Sequence, residues 1–180
     1  MSEPLPLELT TERLRLRSFR FADVDDVLAY AGAPGFGDYV PTPRPYLRSH
    51  AEEYLARTRL ADWSITCNWA LEHEGRVVGG VRFDRQTAHR KAELGWGITP
   101  ALRGQGLVGE AVRSVIDVGF ERLPWLLRVD AHMDARNLAS MRVADKLGMT
   151  REGLLRSFLV IHDRPIDVVW YSLLRAEWQA

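Results

Sequence analysis

The 180-residue sequence has little of several residue types, and each shortage excludes a kind of protein. It contains one cysteine, Cys67, so no internal disulfide can hold the fold together. Its five histidines, at positions 50, 73, 89, 132 and 162, are not spaced in the pairs that bind metal ions. We therefore expect neither a disulfide framework nor a metal site.

An excess of charge of either sign is also missing. Lysine and arginine total 24, aspartate and glutamate total 24, and only two of the basic residues are lysines, Lys91 and Lys146. A chain without net charge has no overall field to recruit nucleic acid or an anionic membrane, so an anionic ligand must be met by a local site. We expect no direct nucleic-acid partner and no membrane partner.

Long apolar stretches are absent too, since nowhere do roughly 18 uncharged apolar residues follow one another. The N-terminus has no basic start followed by an apolar run, so the sequence predicts no signal peptide, and a cytoplasmic location is expected. A hydrophobic fraction of 46% fits one compact domain with a buried core, and we assign residues 1–180 to it.

The first quarter of the chain predicts a strand, two helices and a long loop. A period of two over residues 13–17, leucines on one side and arginines on the other, is typical of a half-buried strand whose arginines face water. A helix follows over 23–31 with Asp23 as N-cap, and a second begins at the capping-box sequence 49–52. The loop 31–46 between them, rich in Gly, Pro and aromatics, is long enough to suggest a functional role.

The rest of the chain alternates between the two periods. Apolar alternation over 69–73, 77–83 and 92–98 predicts three strands of an antiparallel meander, and a helical stripe starts at Gly106. A strand, a short helix from N-cap Asn137 to a C′ glycine, Gly148, and a terminal hairpin complete the order β-α-α-β-β-β-α-β-α-β-β. This order predicts an α/β protein of the α+β kind, with a mixed sheet of seven strands and four helices on its faces.

Three glycines, Gly104, Gly106 and Gly109, have the spacing of a dinucleotide-binding fingerprint, and Asp130 follows 21 residues later where a ribose-binding acid is expected. That fold needs the first glycine directly after a buried parallel strand. Here five residues separate Ile98 from Gly104, and the preceding strand belongs to a meander, so the sequence disfavours an NAD site. Glycines before a helix can still present backbone N–H groups to a phosphate, or can simply allow close helix packing.

Three separated segments decide between these interpretations: ELGWGITP, ALRGQGLVGEA and NLASMRVADKLGM, at residues 93–100, 101–111 and 137–149. Together they resemble the GNAT N-acetyltransferase superfamily. The opening TERLRLRSFRFADVDD and the Glu152-Gly153 pair are most similar to its ribosomal-protein N-terminal acetyltransferase (Rim-type) branch, and the resemblance covers essentially the whole chain. It implies a GNAT-like fold, a mostly antiparallel sheet with about four helices, and acetyl transfer from acetyl-CoA to a primary amine in a ternary complex.

In the superfamily a pattern Arg/Gln-x-x-Gly-x-Gly/Ala binds the pyrophosphate of acetyl-CoA, and here it falls on Arg103, Gly106 and Val108. Val108 departs from the small residue of the pattern, which puts the tightness of cosubstrate binding in doubt. The cosubstrate-binding residues implied by the resemblance are Gly97, Ile98, Arg103, Gly104, Gln105, Gly106, Leu107, Val108, Gly109, Asn137 and Lys146. Arg136 and Arg142 could also meet the adenosine 3′-phosphate, although a solvated helix face explains both.

The resemblance also implies catalytic roles. Ser140 matches the position that protonates the leaving thiolate, with a hydroxyl that satisfies nearby backbone groups as the alternative. Glu93 is the candidate general base, or else a carboxylate paired with an arginine of a neighbouring strand such as Arg82. A second acid that some Rim-type members carry aligns with Leu159, which leaves the base open between Glu93, His132 and water.

Weaker candidates surround these residues. His132 and Asp130 share one face of a strand and could line the splay between central strands, and Cys67 is a remote candidate acyl carrier. Phe36, Tyr39 and Tyr46 in the long loop could wall the acceptor pocket or anchor the loop. Trp170, Tyr171 and Trp178 near the terminal hairpin could be core or interface, and either a monomer or a homodimer is possible.

An α-amine has a pKa of about 8 and a lysine side chain one of about 10.4, so an α-amine asks less of a base at neutral pH. We therefore expect a peptide or protein N-terminal α-amine as acceptor, with a polyamine, an amino acid or an aminoglycoside as alternatives. An alternative of another class is a non-catalytic acyl-CoA-binding module.

Overall fold

The computed structural model describes residues 4–178 and contains one continuous sheet flanked by four helices. The strands are β1 Glu8–Thr10, β2 Arg15–Ser18, β3 Thr66–His73, β4 Arg76–Gln86, β5 Lys91–Ile98, β6 Arg128–Asp134, β7 Thr150–Ile161 and β8 Arg164–Leu174. The helices are α1 Val24–Ala31, α2 Arg48–Leu60, α3 Leu107–Arg122 and α4 Leu138–Lys146. Across residues 4–178, no helix combines the length and apolar character needed to cross a membrane.

The strand order in the sheet is β1-β2-β3-β4-β5-β6-β8-β7, and β5 with β6 is the one parallel pair of the described sheet. This pairing extends only from Lys91 opposite Arg128 to Leu94 opposite Ala131. Beyond it β5 continues to Ile98 while hydrogen-bonded to β4, and β6 continues to Asp134 beside β8. The two central strands therefore separate halfway along their length and leave a splay in the middle of the sheet.

The predicted element order and the meander β3-β4-β5 are confirmed, but the predicted count of seven strands is wrong. The eighth strand is β1, which pairs antiparallel with β2 at the edge of the sheet. It has three residues, so it is too short to display an alternating pattern in the sequence.

Helix α3 packs on the sheet through the apolar stripe that its sequence predicts. Val112, Val115 and Ile116 are fully buried against a core that includes Phe83. A side chain at Gly119 would place its Cβ 3.2 Å from the Phe83 ring, so this glycine sets how closely α3 approaches β4. Each such buried aliphatic side chain contributes about 1.5–3 kcal/mol, and together they fix the N-terminus of α3 beside the splay.

The ends of α4 are as predicted. The Asn137 Oδ1 atom accepts a hydrogen bond from the Ser140 N–H at 3.1 Å. At the other end Gly148 has a φ of 75°, with its N–H bonded to Asp145 O and the next N–H bonded to Ala144 O. This is a Schellman ending, in which the left-handed residue is usually glycine.

Two local predictions are wrong. Helix α2 begins at Arg48 rather than at a Ser49 cap, because the His50 Nδ1 atom accepts the Leu47 N–H at 3.0 Å and ends the preceding extended segment. Arg17 is not on a wet face: it is 5% exposed and pairs with Asp23 at 2.8 Å. Its carboxylate partners, Asp23 just before α1 and Glu72 on β3, come from outside β2, so a strand pattern alone cannot reveal them.

Candidate active site

A cavity of about 900 Å³ begins at the N-terminus of α3, passes the splay beside β5 and extends under α1 and α2. A smaller cavity of about 180 Å³ lies in the splay itself and shares residues with the large one. We call the part lined by α3, α4 and the loop before α3 the α3–α4 side. The part lined by α1, α2, the loop between them, β3 and β4 is the α1–α2 side.

The loop before α3 turns twice through left-handed backbone. Gly104 has a φ of 80° and Gly106 a φ of 84°, a region that favours glycine. The first hydrogen bond of the helix runs from Glu110 N–H to Gly106 O, so the N–H groups of residues 107–109 have no helical partner. These groups and the helix dipole, about half a positive charge, form an anion-binding end that faces the cavity.

Gly109 and Val108, both in the first turn of α3, have different surroundings. A Cβ at Gly109 would have no heavy atom within 4 Å, so glycine there keeps the helix end open. The Val108 side chain is 9% exposed and packs in the main core cluster. The β-branched side chain that the sequence analysis flagged is therefore largely buried.

The same loop is held from outside by an arginine. Arg13 donates through Nε to the Glu110 carboxylate and through Nη1 to the Gln105 carbonyl, each at 2.8 Å. Thr11 Oγ1 also donates to Glu110. Arg13 was predicted to be merely solvated, and Gln105 was predicted to bind the cosubstrate. In the structure Gln105 does not line the cavity, and its backbone carbonyl accepts the hydrogen bond from Arg13.

All the other predicted cosubstrate-binding residues line the large cavity: Gly97, Ile98, Arg103, Gly104, Gly106, Leu107, Val108, Gly109, Asn137 and Lys146. Arg103 also donates from Nη2 to the Gly35 carbonyl at 3.0 Å, which ties the long loop to the start of α3. Arg142 lines the cavity as well, whereas Arg136 is engaged with Asp134 in an ion pair.

Ser140 belongs to the walls of both cavities, at the first turn of α4. Its backbone N–H is capped by Asn137, but within residues 4–178 its hydroxyl has no hydrogen-bond partner. The alternative in which this hydroxyl satisfies a backbone group is therefore not what the structure has. Asn137 caps α4 and also lines both cavities, so the cap leaves it in a position where the predicted contact with the cosubstrate can be made.

Glu93 lies next to His132, not next to Arg82. The His132 Nδ1 atom is buried and lies 3.3 Å from Glu93 Oε1, outside hydrogen-bond geometry. Arg82 instead pairs with Asp84 on its own strand. The Trp170 ring stacks on the His132 ring with 5.1 Å between centroids and 18° between planes. His132 lines the small cavity, whereas Glu93 lines neither cavity and stands next to the splay through its contact with His132.

Asp130 does not line the splay. It is 1% exposed and bonds Lys91 at 2.8 Å and the Arg128 guanidinium. Arg128 also bonds Glu152, and together with the Ser172 hydroxyl it lowers the pKa of Glu152 to about 2. These residues form a structural ion-pair chain across β5, β6, β8 and β7.

The α1–α2 loop and the terminal hairpin meet over the splay. Phe36 packs against Tyr30 with 5.3 Å between ring centroids, and a Cβ at Gly97 would lie 3.3 Å from the Phe36 ring. Tyr39 lines both cavities. At the hairpin tip, the His162 Nε2 atom lies 3.1 Å from the Gly37 carbonyl oxygen. The loop is thus anchored at residues 36 and 37, and its aromatic side chains wall the α1–α2 side.

The remaining candidates fall into place around this site. Tyr46 lines the large cavity and packs against His50. Tyr171 is buried, and the partly buried Trp178 packs against Phe120, so both belong to the core. Leu159 is 38% exposed, on the sheet-edge strand β7.

Cys67 lines neither cavity. It is fully buried, and burial raises the pKa of its thiol to about 11. A thiol in this state is a poor nucleophile, so the structure argues against an acyl-carrying cysteine.

The sheet opens at the splay, and a helix end preceded by glycines lies on one side of the cavity. An α+β domain of this kind can hold an anionic ligand next to a second ligand. Residues 13–150 match the family model of the acetyltransferase (GNAT) domain. The match spans more than half of the chain, so the chain belongs to the GNAT family and is an N-acetyltransferase.

Individual relatives agree with this assignment. YnaD of Bacillus subtilis (strain 168), an uncharacterized N-acetyltransferase, is 26% identical over 172 residues, which cover 96% of this chain and 99% of YnaD. A GNAT-family acetyltransferase structure from Bacillus anthracis is 25% identical with a TM-score of 0.83, covering 94% of this chain and 99% of that one.

A Rim-type structure is also among the structural neighbours. The ribosomal-protein-S5-alanine acetyltransferase of Vibrio fischeri aligns with a TM-score of 0.81 over 97% of this chain and 100% of its own. Its identity to this chain is 18%, so this likeness shows the fold alone.

The sequence reasoning missed several residues of the site. Arg13 looks like any arginine on a strand, and only its contact with Glu110 distinguishes it from Arg15. Asn68 and Arg57 line the α1–α2 side, but each occupies a position where a polar residue on a wet face would be unremarkable. No local signal marks them, because the residues that surround them come from distant parts of the chain.

Proposed function

We propose that the protein transfers the acetyl group of acetyl-CoA to a primary amine in a ternary complex, and that the amine is the N-terminal α-amine of a peptide or protein. The observation that carries this proposal is the pair of adjoining cavities, which extend from the α3 helix end to His132 at the splay, with Glu93 behind the imidazole. The two substrates can enter from opposite sides and meet at the splay, as direct attack requires.

The α3–α4 side fits the cosubstrate. The free N–H groups of residues 107–109, the open position at Gly109 and the basic side chain of Lys146 suit a pyrophosphate and a further phosphate. The edge of β5 at Gly97 and Ile98 suits the pantetheine arm, because its backbone is no longer paired with β6 there. Asn137 is close enough to this path to hydrogen-bond the cosubstrate.

Two groups serve the chemistry. Glu93, through His132 or a water molecule, takes the proton that the attacking amine loses. The positive charge of this proton is then shared between the His132 imidazole and the Glu93 carboxylate. Ser140, whose hydroxyl is free, donates a proton to the thiolate as the carbon–sulfur bond breaks. An acceptor with a pKa of about 8 needs the least from such a base, which favours an α-amine.

The first test combines binding and turnover. The protein is titrated calorimetrically with acetyl-CoA, CoA and NAD in parallel, and thiol release is then followed with peptide α-amines, polyamines, amino acids and aminoglycosides. We expect micromolar acetyl-CoA binding, no NAD binding and the fastest release with peptides. Binding without release from any amine would contradict the proposal, and preference for polyamines would contradict the choice of acceptor.

The role of Ser140 has its own test. Ser140→Ala removes the hydroxyl but leaves the backbone N–H that Asn137 caps, so the helix start is kept. We expect kcat to fall by roughly 10-fold to 100-fold with little change in the Kd of acetyl-CoA, because the proton is needed only as the thiolate leaves. Unchanged turnover with every amine would refute the assignment of this serine.

A further inference from the structure

On the α1–α2 side of the cavity, Asn68 presents a carboxamide without a partner. The residue is 8% exposed, and its side chain makes no hydrogen bond to any part of the chain that the structure describes. It lines the cavity from β3. Its amide atoms open into the cavity and are not sealed in the core, so a ligand in the cavity can pair with them.

Two arginines flank this amide. Arg82 is the cross-strand partner of Asn68 and therefore lies on the same face of the sheet. Arg57 comes from the last turn of α2 and lines the same part of the cavity, with its guanidinium carbon 5.9 Å from the centre of the Tyr54 ring. Both arginines thus line the cavity that Asn68 lines, one from the sheet and one from the helix.

The two arginines of this region differ in their partners. Arg82 pairs with Asp84, which also accepts a hydrogen bond from Thr66 Oγ1 at 2.6 Å. Arg57 has no carboxylate partner among residues 4–178. Glu93, the cross-strand partner of Asp84, lies beside His132. The guanidinium of Arg57 is therefore the cation of this group that an incoming anion can pair with. A second ammonium group of a polyamine would instead be repelled.

The distance to the splay sets the size of what fits. Arg82 is opposite Gly95 on β5, so Asn68 lies two strand spacings from Gly95, or about 10 Å. Gly95 is the first residue of β5 beyond the parallel pairing, and a Cβ there would meet nothing within 4 Å. An extended peptide with its amine at the splay would cover this distance with about three residues.

We propose that Asn68, Arg57 and Arg82 form a carboxylate-binding subsite of the acceptor cavity, which selects peptides with an acidic side chain at the second or third residue. This inference rests on the proposed function, because it takes the splay as the position of the acceptor amine. The carboxylate accepts paired hydrogen bonds from the free guanidinium of Arg57 and one from the Asn68 amide.

The test compares peptide twins. Four-residue peptide amides with glutamate at position 2 or 3, and their glutamine counterparts, are titrated into the full-length protein saturated with CoA, so that no reaction occurs. We expect at least one glutamate peptide to bind about tenfold more tightly than its glutamine twin. This ratio of dissociation constants corresponds to a difference of about 1.4 kcal/mol in binding free energy. Arg57→Gln brings this ratio to about 1.

A matched control is available on the same helix. Arg59 is exposed and does not line the cavity, so Arg59→Gln keeps the ratio. Asn68→Ala lowers the ratio without a folding defect, because it removes a buried polar group that has no partner to lose. These two variants separate the subsite from a general effect of charge or stability.

The outcomes for the subsite and for the proposed function are distinct. Equal affinity for the twins in the unsubstituted protein, including no measurable binding of either, overturns the subsite, as does a ratio that survives Arg57→Gln. Thiol release with acetyl-CoA is measured separately. Selective binding of glutamate peptides without any release supports the subsite and counts against the proposed peptide acetylation.

Discussion

The two sides of the cavity are built in different ways. The α3–α4 side is largely made by consecutive residues, 103–109, and its binding groups are backbone N–H groups exposed by two left-handed glycines. The α1–α2 side is made by side chains from α1, α2, β3, β4 and the loop between the helices. A ligand common to a whole family can be held by backbone, whereas a ligand that differs between members is read by side chains that can vary.

This comparison predicts that the two sides can be damaged independently. The largest effect is expected for Glu93→Gln, which removes the carboxylate beside His132 and keeps the size of the side chain. We expect kcat to fall by about 100-fold or more, since general base catalysis contributes about 10²–10⁴, while the Kd of acetyl-CoA stays within about twofold. Steady-state kinetics and calorimetry measure the two quantities.

The control for this variant is Glu121→Gln, an exposed carboxylate on α3 that does not pair with His132. It should leave kcat and binding unchanged. If Glu93→Gln instead weakened acetyl-CoA binding as strongly as it slowed turnover, the two sides would not be independent, and the assignment of Glu93 to the acceptor amine would be wrong.

A smaller effect, on acetyl-CoA binding and not on the chemical step, is expected from Gly109→Val. The helical position is open, so valine should fold without a clash and should place two methyl groups where the N–H groups of α3 face the cavity. We expect the Kd of acetyl-CoA to rise by about tenfold or more, with a free energy of unfolding within about 0.5 kcal/mol of the original, because valine is a better helix former than glycine. Calorimetry and thermal unfolding check both.

The same helix provides the comparison variant. Glu121→Val introduces the same side chain on an exposed part of α3 and should leave acetyl-CoA binding unchanged. Unchanged acetyl-CoA binding by Gly109→Val would mean that the anion is held elsewhere. The α3–α4 side would then not recognise its ligand through the backbone of this helix end.

How much could be predicted from the sequence follows the same division. The glycine loop, the Asn137 cap and the Gly148 ending are marked by residues that are neighbours in sequence, and the left-handed φ values of Gly106 and Gly148 explain why glycine is there. The seven longer strands were likewise visible from local periodicity. Only β1, with three residues, was too short to show one.

Apart from the start of α2, where Leu47 and His50 replace the predicted Ser49 cap, the errors concern contacts between distant residues. A strand pattern identifies which face of β2 carries arginines, but not that Arg17 is buried in an ion pair with Asp23. Nor does it tell that β5 separates from β6 after Leu94, which decides that His132 reaches a cavity while Asp130 is buried in an ion-pair chain. Side-chain sites assembled by topology are therefore where sequence reasoning stops.

The local sequence pattern does not distinguish Arg13 from Arg15. Substitution of Arg13 is expected to give the smallest of the predicted effects. Its guanidinium bonds the Glu110 carboxylate and the Gln105 carbonyl, so it stabilises the loop that leads into α3. We expect Arg13→Gln to lower the free energy of unfolding by about 1 kcal/mol, since the side chain is 41% exposed and solvent screens the pair. Acetyl-CoA binding should weaken a few-fold, because the N–H groups lose part of their fixed geometry.

Arg15→Gln is the matched control, since Arg15 is 44% exposed and its closest ion pair is with the 52% exposed Glu8 at the sheet edge. It should change the free energy of unfolding by less than about 0.5 kcal/mol and leave acetyl-CoA binding unaltered. Equal effects of the two substitutions on binding would mean that Arg13 acts only through overall charge. In that case the backbone of the loop would hold its shape without side-chain support, and the α3–α4 side would depend on its own consecutive residues alone.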